Sequence, residues 1–169
     1  MDSRDILTIK GLIRRGEART ASSYNNIPLD RVHFLDLPFY ETGKIQKNPI
    51  SEADVEIVRN LLREVKPHQI FVAGDLADPH GTHRVCTDAV FAAVDRIWMY
   101  RGAWAEWEIE NIEMAVPISP EELRAKRNSI LKHQSQMESA PFLGNDERLF
   151  WQRSEDRNRG TATLYDQLG

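Results

Sequence analysis

Residues 69–84 read QIFVAGDLADPHGTHR, and the fold turns on how they are read. Ile70, Phe71, Val72 and Ala73 form a short apolar run, the pattern of a buried parallel strand. Gly74 releases the chain into a loop carrying Asp75, Asp78, His80 and His83. From Thr82 onward Val85, Ala89, Val90 and Ala93 recur at helical spacing. Two carboxylates and two imidazoles are thus concentrated where a strand gives way to a helix. In open α/β sheets, ligands sit outside the carboxyl ends of the strands. Imidazole is a common zinc ligand, and a carboxylate accepting its second ring proton fixes its tautomer. A plainer reading fits the same loop: Asp78 caps a turn, Thr82 caps the helix, and the histidines are partly exposed polar residues.

The stretch before it predicts the rest of a parallel unit. Residues 51–66 predict a helix, with Ser51 and Asp54 spaced as a capping box and Val55, Val58, Leu61, Leu62 and Val65 as its buried stripe. Pro67 stops it. Residues 32–37 alternate up to Pro38 and predict a strand, with His33 at its edge and Asp36 near its carboxyl end. Strand, helix, strand is the unit of a parallel sheet with a right-handed crossover. Residues 97–100 (IWMY) predict a further buried strand. Only Asp95 and Arg96 separate it from the preceding helix, shorter than most such links, so a segment of the natural protein is expected to be absent there.

Further out, residues 3–24 predict a helix with Ile6, Ile9, Leu12 and Ile13 on one side and Ser3 at its start. Gly11 and Gly16 weaken it. Arg14 and Glu17 lie one turn apart, the spacing of a surface ion pair. A turn is expected over residues 25–30. In residues 102–108 (GAWAEWE), Trp104 and Trp107 either wall a sugar pocket or cover the sheet edge. Residues 112–116 predict a final strand. Ser119 and Pro120 open a helix expected to run through Gln136. A last helix is expected over residues 147–168, with Arg153, Arg157 and Arg159 on a solvated face.

The length of 169 residues suits one domain. A net charge of −4 gives no electrostatic reason to expect a nucleic-acid partner. The single cysteine, Cys86, excludes an internal disulfide and fits a reducing compartment. No apolar segment is long enough to span a membrane, and the opening residues do not read as a signal peptide. The expected location is the cytoplasm.

Several groups of residues together resemble one family, the PIG-L/LmbE-type zinc-dependent N-deacetylases. Arg14-x-x-Glu17-Ala18 and Phe34-Leu35-Asp36-Leu37-Pro38 resemble its second helix and strand. Asp78-Pro79-His80-Gly81-Thr82-His83-Arg84 resembles its His-Pro-Asp-His-Arg motif. Lys126 through His133-Gln134-Ser135-Gln136 resembles its later Lys…His-x-Ser-Gln motif. More closely, the His80 loop, RGAW (residues 101–104), KHQSQ (132–136) and EDRNR (155–159) resemble the C-terminal domain fused to glucosamine-6-phosphate deaminase in some bacteria. The resemblance implies an α/β fold: a Rossmann-like three-layer sandwich with a mostly parallel sheet. It implies a zinc ion that activates water for attack on an N-acetyl group of an aminosugar or aminosugar phosphate. By the same resemblance His83 is a zinc ligand, His80 serves catalysis and Arg14 lies near the metal site or substrate; Asp78 is assigned to catalysis beside them, and Trp104, as a ring that stacks on sugars, to the substrate.

Two departures accompany the resemblance. Gly81-Thr82 stands where the family motif has Pro-Asp, so a carboxylate behind the metal must come from Asp78 or Asp75. The His-Pro-Asp-Asp that ends the family's first strand is not in this chain. Residues 1–169 are therefore expected to be one domain of a larger protein, lacking the first strand and inactive alone, with the vacated sheet position covered by homo-oligomerisation or an added neighbour. The alternative is a non-catalytic regulatory or assembly domain of a glucosamine-6-phosphate deaminase.

Overall fold

Ser51 and Asp54 begin the most regular part of the molecule. The Ser51 N–H and hydroxyl both donate to the Asp54 carboxylate, at 2.8 and 2.6 Å, and start helix α2 (Glu52–Val65). Asp54 is fully buried and its other oxygen accepts the Phe39 N–H at 2.8 Å. Val55 and Val58 are buried behind it, each burial favouring the fold by roughly 1.5–3 kcal/mol. The structure is a computed structural model that describes residues 3–40, 47–74, 81–101, 107–137 and 148–167.

The chain gathers into two units, Leu35–Trp107 and a second built from Met1–Phe34 with Glu108–Gly169. In the first, α2 is followed by β1 (Phe71–Ala73), α3 (Thr82–Ala93) and β2 (Trp98–Tyr100). The strands pair in parallel, Phe71 opposite Trp98 and Ala73 opposite Tyr100. Ala89 of α3 is fully buried, and α2 packs against α3. Thr87 donates its hydroxyl to the Ala73 carbonyl at 2.7 Å, tying α3 to β1. Arg59 of α2 pairs with Glu52 and Glu56 and donates to the Ala92 carbonyl in the last turn of α3, where a cation is favoured. This is the expected α/β unit, reduced to two short strands. The strands are less buried than expected: Phe71 is half exposed and every residue of β2 faces solvent in part.

In the second unit α1 (Arg4–Tyr24) runs unbroken through Gly11 and Gly16, with the Ser3 hydroxyl capping its start. Its expected apolar stripe is largely exposed, and only Ala21 is buried. Helix α4 (Pro120–Leu131) begins with a reciprocal Ser119–Glu122 capping box and Pro120 in its first turn. The short α5 (Gln134–Met137) and α6 (Phe150–Gln167) complete it. Glu155 of α6 is buried, where Arg127 of α4 pairs with it through two donors while stacking on the Trp151 ring at 4.6 Å. Lys126 donates to Asn158 at 2.5 Å.

Three expected elements differ. Residues 32–37 are not a strand: Asp36 adopts φ +49°, which ends an extended run, and no strand among the described residues pairs with them. Residues 112–116 follow a 3-10 turn (Ile109–Asn111) and form no strand, with Val116 70% exposed. The helix expected to run to Gln136 ends at Leu131 and restarts at Gln134, for a reason given below. Of the three arginines assigned to a solvated face, Arg157 and Arg159 are exposed and Arg153 is half-buried.

Candidate functional site

The carboxyl end of β1 is closed by one contact. Gly74 follows the strand, donates its N–H to the Tyr100 carbonyl at 3.1 Å, and is buried. A Cβ at this position would lie 2.2 Å from the six-membered ring of Trp107. Only glycine lets that ring settle on the strand end. Arg101, just past β2, donates from Nε to the Trp107 carbonyl at 3.0 Å. Of the two readings of the tryptophans, Trp107 therefore covers the strand end.

Helix α3 starts at the far side of this loop. Its N-cap is Gly81, at φ +66°, and no side chain among the described residues caps it; Thr82 is already the first helical residue, not the cap. His83 lies exposed in the first turn. Asp78, His80 and Trp104 lie outside the described residues, as does Asp75. Arg14 is exposed on α1, in the other unit.

Arg14 belongs to a second cluster that brings distant sequence together. The Glu17 carboxylate accepts the Ser135 N–H at 2.7 Å and the Ser135 hydroxyl at 2.6 Å, across 118 residues. Burial opposes ionisation of Glu17, but these two bonds and the charges of His133 and Arg14 outweigh it and hold its pKa below the usual carboxylate value. Glu17 thus engages Ser135 and bears on Arg14 only by charge, so the expected surface pair is replaced by a longer-range tie. It also explains the break before α5: the carboxylate takes the Ser135 N–H that a continuous helix would have used. Arg14-x-x-Glu17 and His133-x-Ser135-Gln136 were separate motifs in sequence, and their joint appearance was the one available sign that they meet. The same holds for Lys126 and the 155–159 segment. Burial lowers the Lys126 pKa against the opposing charge of Glu155.

Zinc meets a sparse donor set. Among the described residues no three His, Cys, Asp or Glu side chains converge to hold a metal. Catalytic zinc ordinarily has three protein ligands. The described donors do not make a zinc site.

Residues 4–94 match the PIG-L family, described as GlcNAc-PI de-N-acetylase. The match covers more than half of the 169 residues, and the chain belongs to this family. A glucosamine-6-phosphate deaminase-like protein of Bacteroides thetaiotaomicron is 92% identical to it over 182 positions. That alignment takes in the whole of this chain and 28% of the relative's own length. Its 182 positions against 169 residues leave 13 with no residue here. No solved structure matches the chain. No helix among the described residues is long and apolar enough to cross a membrane.

Proposed function

We propose that residues 1–169 form one de-N-acetylase-like domain of a larger cytoplasmic protein that hydrolyses N-acetylated aminosugars and is attached to a glucosamine-6-phosphate deaminase. The family match over residues 4–94 carries this reading. The name of the Bacteroides relative supports the link to amino-sugar metabolism. In this reading the parallel pair is the remnant of a Rossmann-like three-layer sheet, and a second copy covers its open side.

Hydrolysis of an N-acetyl group needs a base to take a proton from water and a donor to the tetrahedral oxyanion. Asp78 and His80 supply those residue types in the sequence just ahead of α3. His83 supplies an imidazole that is exposed enough to serve as a ligand. Arg14 and Trp104 are assigned to the aminosugar, or aminosugar phosphate. The name of the Bacteroides relative, a deaminase-like protein, favours a second reading, a non-catalytic regulatory or assembly domain of a glucosamine-6-phosphate deaminase.

The deciding experiment is His83→Ala in the longer protein, read by acetate release from an N-acetylated aminosugar and by zinc calorimetry. We expect acetate release to fall at least about 100-fold with unchanged circular dichroism. Retained activity removes His83 from the chemistry, and no acetate release from the unsubstituted protein selects the non-catalytic reading.

A further inference from the structure

An open cavity of about 430 Å³ lies in the unit that holds α1 and α4, lined by Arg19, Thr20, Ser23, Tyr24, Leu29 and Lys132. Its volume is within the range of small-ligand pockets, roughly 300–1,000 Å³. None of the six side chains is a carboxylate, in a chain whose net charge is −4.

Both cations are held without being neutralised. The Arg19 guanidinium rests over the Phe34 ring at 5.3 Å, and the Lys132 ammonium over the Tyr24 ring at 5.1 Å. An aromatic face positions a cation but does not cancel its charge. Among the described residues neither has an ion-pair partner. The cavity sits at the carbonyl ends of α1 and α4, which by themselves attract cations, typically by about 0.3–1 kcal/mol. Those carbonyls are otherwise engaged, however. Asn25, Asn26 and Ile27 cap α1 through the Ala21, Ser22 and Ser23 carbonyls, and the Lys132 N–H takes that of Ser129. The side-chain donors of Arg19 and Lys132 remain for a ligand.

The hydroxyls divide in the same sense. Thr20 spends its proton on the Gly16 carbonyl at 2.9 Å, leaving an acceptor towards the cavity. Ser23 has no hydrogen-bond partner for its hydroxyl among the described residues and is a free donor. Tyr24 accepts from Asn128 at 2.8 Å, which fixes the ring under Lys132. Tyr24 and Leu29 offer apolar surface for a carbon skeleton.

We propose that this cavity binds a small organic phosphate monoester, with the phosphate between Arg19 and Lys132. Arginine presents a fork of donors and lysine a point charge, the pair commonly used for phosphate. That the ester is an aminosugar phosphate rests on the function proposed above; the phosphate site itself does not.

The test is calorimetric titration of the 169-residue chain with glucosamine 6-phosphate and, separately, with glucosamine. We expect the phosphate ester to bind at least 10-fold more tightly than the free sugar. Arg19→Gln with Lys132→Gln is expected to cost a further 10-fold or more, while Arg124→Gln on the outer surface of α4 changes affinity less than 2-fold. Equal affinity for the two sugars, no binding of the ester, or an unchanged affinity in the double variant overturns the site. Acetate release depends on His83 and this titration on Arg19 and Lys132, so either proposal can fail without the other.

Discussion

Helices α2 and α3 pack on each other in one unit, yet they begin in opposite ways. The start of α2 is sealed: Asp54 is buried and accepts three hydrogen bonds, two from Ser51 and one from Phe39. The start of α3 has no such seal among the described residues: Gly81 caps it in a left-handed conformation, and no described side chain hydrogen-bonds its first N–H groups. A sealed start fixes two chain segments and exposes nothing. The start of α3 keeps the positive partial charge of a helix N-terminus, with Asp78 and His80 preceding it in sequence. One helix start is tied into the fold by a buried side chain, and the other is formed by a glycine in a left-handed conformation.

The largest break in that contrast is expected from Asp54→Ala. It strands the Phe39 N–H in a buried place and removes the cap bond of the exposed Ser51, and urea unfolding should show a loss of about 3 kcal/mol. The same carboxylate sets an acid response. Burial opposes its ionisation, but the bonds from Ser51 and Phe39 prevail and lower its pKa in the folded state. Its contribution is therefore present above the ordinary carboxylate value, near pH 4, and fades as pH falls through the lower folded value. In Asp54→Asn this part of the acid slope should vanish, and an unchanged slope removes Asp54 from that role.

Next comes Gly74→Ala, whose added methyl meets the Trp107 ring. We expect a loss of about 1–2 kcal/mol, largely recovered when Trp107→Ala is added. No recovery in that double variant means the cost lies elsewhere than in the ring contact. Smallest is Gly81→Ala. No described residue lies within 4 Å of the new Cβ, so the backbone at φ +66° supplies the expected cost, about 1 kcal/mol. Gly81→Asn should cost less, since asparagine tolerates this conformation. A larger loss for Gly81→Ala than for Asp54→Ala would invert the comparison.

The elements legible in sequence are those whose causes are local. Helix α2 has its box, stripe and terminating proline within 17 residues, and α1 has Ser3 and its length. The first parallel strand was legible from four apolar residues and a glycine. Alternation over residues 32–37 misled because a strand also needs a partner, and the positive φ of Asp36 leaves no trace in a hydropathy pattern. The exposure of β2 was hidden for a related reason, since IWMY reads as buried whatever covers it. The gap before α5 comes from Glu17, more than 100 residues away, and no local pattern reports it. At the candidate site the residue types were legible from the loop and from the family resemblance. The ring of Trp107 on Gly74 was not, because the sequence does not say what a tryptophan in that segment packs against.

The Glu17–Ser135 tie has a consequence for how the chain is assembled. One unit is continuous, Leu35–Trp107, and can complete its contacts as soon as those residues exist. The other needs Met1–Phe34 to wait for Glu108–Gly169. Closing a loop of that span costs about 2 kcal/mol more entropy than closing one a tenth as long. On a ribosome, α1 therefore emerges before the α4 and α5 segments it packs against and waits for them through the synthesis of everything between. Slow elongation over residues 35–107 would lengthen that wait, while slow elongation after Asn158 would not, because by then the partners of α1 have already been made.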